Sequence, residues 1–304
     1  MDGNFKTVPN EFGQLYAIHG IIKDTEGKKL VFPLVFCLTV RKDENAYRVI
    51  RETIKEEAAR RNLRFRVTLI LSDFEIAAMN AAQAAFPPPR CQHKGLFHLN
   101  QSHWRQVVDQ GLRVLYINED NDPHTVRRDI QRLMAQPFIP TDEVEAVFDA
   151  IVDAMDDRVL AFADHLENTY IRGHRALRRR RQVPPRFPID KWNVYEQAVA
   201  NEHRTTSVVE GYHSKFQKLI VVHHANIWKF LDEVREKHDL HKILEVVRRG
   251  HTKVKQPVNA KYERAQRRIH RLATSYEEYK DRNGVMLYLE AISYNIKIQP
   301  DDDE

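Results

Sequence analysis

GQLYAIHGIIKDTEGKKLVFPLVFCLTV (13–40) is the stretch on which the fold turns. Two runs rich in β-branched, aromatic and aliphatic residues, 13–22 and 30–40, flank the polar turn signal DTEGKK. Strand, turn and strand predict an antiparallel hairpin. Met1–Val8 is a short strand candidate ahead of it. Downstream, ENAYRVIRETIKEEAARR (44–61) places Ala46, Val49, Ile50, Ile54 and Ala58 at helical spacing. FRVTLILSDF (65–74) is a mostly apolar strand ending on an acid, and Ala77–Ala85 is a helix stopped by the prolines at 87–89. A short strand near Cys91–Phe97 and a helix from about Leu99 to Gly111 complete the unit. Three early strands followed by alternating helix and strand predict a mixed α/β sheet.

From about Pro123 to Asn201 strand signals nearly vanish. The segments 126–136, 141–155 and 159–171 read as amphipathic helices, the second opened by a Thr141-Asp142 cap. Arg175, Arg178 to Arg181, Pro184, Pro185 and Arg186 then make a basic, proline-bearing linker. TTSVVEGYHSKFQKLI (205–220) reads as a helix with Thr or Ser as its cap. The remainder is helical and charged, ending in DDDE.

The 304 residues carry 48 Lys and Arg against 43 Asp and Glu, a net charge of +5. That balance suits a nucleic-acid binder without excluding an ordinary enzyme. Two cysteines, Cys37 and Cys91, exclude a disulfide framework and a Cys₄ zinc site. The N-terminal residues carry no apolar signal core, and no run approaches the roughly 18 apolar residues of a membrane span. A soluble protein of a reducing compartment with no membrane partner is expected.

Asp2 lies in the first strand candidate and Asp73 just past the C-terminal end of an apolar strand. Acids at strand ends converge on one edge of a mixed sheet, where open α/β sheets place their sites. Two divalent ions about 4 Å apart require such oxygen ligands. An acid after a strand is also an ordinary turn residue, and position alone leaves both readings open. On the 205–220 helix, Val209, Tyr212, Phe216 and Leu219 or Ile220 form an apolar stripe. Beside it run Glu210, His213, Ser214 and Gln217, either lining a cleft or facing solvent.

These residues carry a resemblance. DGNFKTVPNEFGQLYAIHG resembles the opening block of the Mutator-like element (MULE) transposase domain, and SDFEIAAMNAAQAAFP its second-acid block. KGLFHLNQSHWRQVVDQGL resembles its Phe-His, Gln and Trp-Arg block through Phe97, His98, Gln101, Trp104 and Arg105. FPIDKWNVYE, RTTSVVEGYHSKF and ANIWKFLDEV resemble the blocks around and after the third acid, and all six occur in family order.

The resemblance implies a DDE transposase of the ribonuclease-H-like superfamily. It would combine a mixed sheet with a large all-α insertion and a helical C-terminal region. The implied division is a core at 1–122, a helical insertion with basic linker at 123–203, a final core helix at 204–222 and a helical region at 223–304. Asp2, Asp73 and Glu210 would be the catalytic triad, holding two Mg²⁺ or Mn²⁺ ions for phosphodiester cleavage and strand transfer. His98, His213 and Arg204 would orient substrate or the acids, and Arg178, Arg179, Arg180 and Arg181 would contact DNA phosphates. The implied partners are double-stranded DNA and a homodimer or larger assembly, in the nucleus.

This sequence departs from the family pattern in three places. It begins one residue before Asp2, so an N-terminally truncated domain is expected, without the family's upstream DNA-recognition region. Gly95 stands where the family has a cysteine three residues before the histidine, and Thr206-Ser207 stand for its Asn-Asn. The truncation favours a second reading, a catalytically inactive, transposase-derived nucleic-acid-binding protein. A third is a helical scaffold for protein partners. Cys91, His93, His98 and His103 match no compact zinc template. Arg264, Arg267, Arg268 and Arg271 fall at helical spacing, and a solvated face offset by Glu263, Glu277 and Glu278 is expected there. Trp192 and Trp228 are expected as packing anchors.

Overall fold

The computed structural model describes residues 2–4, 8–9, 11–23, 29–64, 67–72, 75–87, 92–94, 96–118, 125–175, 182–202, 227–237 and 260–296. They form a mixed α/β protein in which helix predominates. The chain divides into two compact units, Met1–His93 with Thr205–Val258, and Lys94–Arg204 with Asn259–Glu304.

In the first unit the predicted hairpin is β2 (Gln14–Lys23) and β3 (Lys29–Thr39), paired antiparallel from Gln14↔Thr39 to Lys23↔Lys29. β1 (Asp2–Asn4) adds to the free side of β2 with Asp2 opposite Ala17 and Asn4 opposite Leu15. The β2–β3 register shifts between Ile18 and His19, so Val35 faces Ile18 while Pro33 faces His19. A proline has no N–H to give a ladder, and a bulge on an outer strand tolerates it.

Because strand side chains alternate, β2 sends Leu15 to one face and Tyr16 and Ile18 to the other. Tyr16 and Ile18 pack with Tyr47 and Ile50 of α1 (Glu44–Arg60) and with Ala78 and Ala81 of α2 (Ile76–Ala85). Leu15, with Val8, packs on Phe230 of α10 (Ile227–Lys237), joined by Phe36 and Leu38. Helices therefore cover both faces of the hairpin. Asp43 caps α1 by accepting from the Ala46 N–H at 2.8 Å. Among the described residues of the apolar run 65–74 there is a short strand, β4 (Leu69–Leu71), which pairs with β5 (Gln92–Lys94). Ile70 of β4 is buried with Ala82 of α2.

The second unit is helical: α3 (Leu96–Asp109), α4 (Arg113–Ile117), α5 (Thr125–Ala135), α6 (Val144–Ala154), α7 (Leu160–Leu166), α8 (Ile189–Trp192), α9 (Tyr195–Val199), α11 (Ala260–Thr274), α12 (Tyr276–Asn283) and α13 (Val285–Ser293). Leu96 and Phe97 belong to α3, not to the expected strand. The turn 136–139 after α5 is where its parts are tied together. Asn193 Nδ2 donates to the Ile139 carbonyl at 2.7 Å, the Val194 N–H to Pro137 at 2.8 Å and the Tyr288 hydroxyl to Phe138 at 2.9 Å. Trp192 is buried and donates to the Tyr170 and Phe187 carbonyls, so it is the anchor expected. Trp228 is 73% exposed, so it is not the buried packing anchor expected.

Three local expectations change here. α6 begins at Val144 with no side-chain cap, and Glu143, at its N-cap, instead accepts from the Tyr276 hydroxyl (2.9 Å) and Lys280 Nζ (2.7 Å). A tertiary ion pair has displaced local capping. The 159–171 helix loosens after Leu166 into a π-helical turn, Glu167–Ile171, closed by the Arg172 N–H on the Glu167 carbonyl. A short ribbon, β6 (His174–Arg175) and β7 (Gln182–Val183), interrupts the helical region. It follows Gly173, whose φ of +77° suits glycine and where a Cβ would meet the Val183 oxygen at 2.0 Å.

His103 of α3 is buried against Tyr170 and Phe162, at ring separations of 5.0 and 6.1 Å. It lines a small cavity with Leu99, Leu133, Gln136 and Trp192. Burial, then the neighbouring His165, pulls its pKa from 6.5 down to about 3. The native state thus refuses a proton that the unfolded chain accepts from about pH 6.5 downward. Stability is full above that pH and falls progressively towards pH 3. Replacing His103 by leucine should flatten this acid limb, by an amount on the order of several kcal/mol, in urea unfolding at pH 7 and pH 4. An equal acid loss in both proteins would refute the assignment.

Candidate functional site

The first candidate acid, Asp2, stands on β1, opposite the buried Ala17. The second, Asp73, lies outside the described residues, but its neighbours are fixed. Ser72, directly after β4, is buried, and Glu75 is the N-cap of α2. A polar relay runs from β2 through α1 to the N-cap of α2. Gln14 Nε2 donates to the Tyr47 hydroxyl at 2.8 Å, which donates to both Glu75 carboxylate oxygens at 2.9 Å.

Tyr47 is wholly buried, its ring 5.0 Å from that of Tyr16. Burial raises the pKa of its phenol well above the tyrosine range, and the Glu75 carboxylate adds to this while the Gln14 bond opposes it. The group stays a neutral donor at any physiological pH. One turn on, the buried Arg51 donates to the Tyr16 hydroxyl at 2.9 Å and lies over its ring. Burial also lifts the Cys37 thiol to about 11, opposed by Arg51, so Cys37 is a packed thiol rather than a nucleophile.

This arrangement positions. β1 is held to β2 by strand pairing, and Glu75, the N-cap of α2, is held through Tyr47 to Gln14 at the start of β2. The strand bearing Asp2 and the start of α2 are thereby referred to the same strand. Sequence reading missed Gln14, Tyr47, Arg51 and Glu75. It assigned the α1 stripe to Val49, which is 51% exposed, whereas Tyr47 and Arg51 are buried. The available signal was spacing: 47, 50, 51, 54 and 58 keep the helical period, and both polar members reach partners inside.

The other candidates divide as follows. Arg204, Glu210 and His213 lie outside the described residues, as do Arg178, Arg179, Arg180 and Arg181, which fall in the connection between β6 and β7. His98 is on α3 and His93 on β5, with their side chains outside the described set, as is Cys91. His103 sits in the apolar pocket of the helical unit. Among the described residues no three His, Cys, Asp or Glu side chains gather as a metal site, and no helix is long and apolar enough to cross a membrane. No protein-family model, curated protein or solved structure matches the chain.

Tyr47→Phe removes the hydroxyl and strands both the Glu75 carboxylate and the Gln14 amide. The expected cost is about 1–3 kcal/mol in the urea midpoint. Glu75→Gln keeps an acceptor for the hydroxyl and should cost clearly less. The reverse order would show that the relay does not hold the turn.

Proposed function

We propose that the chain is the catalytic domain of a DNA transposase of the Mutator-like type, a nuclear enzyme on a ribonuclease-H-like fold. Asp2, Asp73 and Glu210 are its metal-binding acids. The observation that carries this reading concerns the elements around the first two: Asp2 lies on the strand paired to β2, and Glu75, two positions after Asp73 in the sequence, is tied through Tyr47 to Gln14 of β2. Support comes from element order, three antiparallel strands and then α1, β4, α2, β5 and α3, with helices on both faces of the hairpin. The six sequence blocks in family order support it from the other direction.

The donor set fits the implied metals. Three carboxylates offer only hard oxygen ligands, which Mg²⁺ and Mn²⁺ take. Two such ions, when bound, lower the pKa of an attacking water or 3′-hydroxyl and stabilise the departing oxygen. The chain's part is to hold three carboxylates in place, and ligand geometry good to about half an ångström demands a rigid frame. The Gln14–Tyr47–Glu75 relay supplies that stiffness beside Asp73. His98, His213 and Arg204 are proposed to orient substrate phosphate around the acids, and Arg178 to Arg181 to grip the DNA backbone.

A plasmid nicking and strand-transfer assay with Mg²⁺ or Mn²⁺ tests the reading. Asp73→Asn and Glu210→Gln should each lose at least about 100-fold of the wild-type rate. Equal activity in all three proteins would overturn the catalytic assignment. DNA binding by the wild type with no cleavage under either metal would instead favour the inactive, nucleic-acid-binding alternative.

A further inference from the structure

We infer that the exposed arginine face of α11, carried by Arg267, Arg268 and Arg271 with Arg264 beside them, is a binding surface for the phosphate backbone of duplex DNA. On the opposite side of this helix Ile269 and Ala273 are buried and His270 Nδ1 lies 3.0 Å from the Ala198 carbonyl oxygen, which fixes the rotation of the helix. The four arginines, at i, i+3, i+4 and i+7, are consequently turned outward together. They span about 10 Å of helix.

Sequence alone pointed to neutralisation by Glu263, Glu277 and Glu278. The structure pairs one of these, Glu278, within its own helix, while Glu277 only approaches Lys280, whose closer partner is Glu143. Glu277 lies 4.0 Å from Lys280, and Glu278 pairs with Arg282 at 3.0 Å, both within α12. Glu143 is engaged by Tyr276 and Lys280, and Glu290 by Arg132. Among the described residues no carboxylate, Glu263 and Glu196 included, lies within the 4.0 Å of an ion pair to Arg267, Arg268 or Arg271. Glu263 offsets one charge and leaves the face strongly positive.

The chemistry of the face selects its occupant. None of the large exposed hydrophobic side chains of the described residues lies on α11. Protein interfaces centre on apolar or aromatic anchors, and helices that lie on membranes need an apolar face turned to lipid. A phosphate backbone needs neither. It presents one charge per about 1.7 Å of duplex, and guanidinium forks match it bidentately. The inference takes from the function proposed above only that the chain meets DNA, not that it cuts it.

The test is anisotropy of a labelled 20-base-pair duplex with the full chain over a salt series. Three proteins are compared: wild type, the triple variant R267Q/R268Q/R271Q, and the charge-matched control R60Q/R61Q/R64Q on and after α1. Circular dichroism and thermal unfolding establish that each is folded. The α11 variant should bind at least about tenfold more weakly at 0.1 M salt, with a log K against log salt slope lowered by about 2 to 3. The α1 control should stay within about twofold. Equal losses in both variants would mean net charge alone and would overturn the assignment, as would no loss in the α11 variant. Loss of binding to phosphatidylserine vesicles with duplex affinity unchanged would assign the face to lipid and overturn it too. Asp73→Asn should leave duplex binding intact. A chain that never cuts DNA but loses binding in the α11 variant keeps this proposal and fails the catalytic one.

Discussion

The constraint from which the first unit follows is the long pairing of β2 with β3 and the demand that both its faces be buried. A two-stranded ribbon alone is marginal in water, and it becomes stable only when its faces find cover. α1 and α2 cover one face and α10 the other. Because α10 comes from a segment more than two hundred residues along the chain, the unit is complete only when the polypeptide returns from the helical unit. A one-residue slip of the register would exchange Leu15 for Tyr16 and defeat both layers at once. The bulge at Ile18 and Pro33 fixes the register locally.

Burying a tyrosine and an arginine under that sheet is costly, and hydrogen bonds to their polar groups offset part of that cost. The solution found is directional: Gln14 gives to Tyr47, Tyr47 gives to Glu75, and Arg51 gives to Tyr16. A well-packed apolar alternative would stabilise the layer equally well. What the polar version adds is orientation, since a hydrogen bond fixes an angle as well as a distance and an apolar contact does not. The residue it orients is Glu75, two positions after Asp73 in the sequence.

Much of this was legible in the sequence. The hairpin and the helices α1, α2 and α5 fall within a residue or two of their expected bounds, because each carries a strong period or a plain stop. What was not legible depends on partners distant in sequence. Thr141-Asp142 looked like the cap of α6, but the helix starts at Val144, and Glu143 at its N-cap is claimed by Tyr276 and Lys280, more than a hundred residues away. The apolar run 65–74 looked like a long strand, yet among its described residues only Leu69–Leu71 find a ladder partner. Of the candidate acids, the elements carrying Asp2 and flanking Asp73 are in view, while the helix proposed to carry Glu210 lies outside the described residues.

The α11 face shows the same lesson in electrostatics. Counting charges along a helix predicts neutrality wherever acids and bases alternate within a few residues. Pairing is decided by geometry instead, and on α12 Glu278 pairs with Arg282 at 3.0 Å. That internal pair removes a counter-charge from α11 without any change in composition. A chain whose net charge is only +5 can in this way carry a locally cationic strip. For a polyanion the local strip matters more than the total, because screening confines its attraction to roughly 8–10 Å at physiological salt. That range is about the length of the arginine face itself.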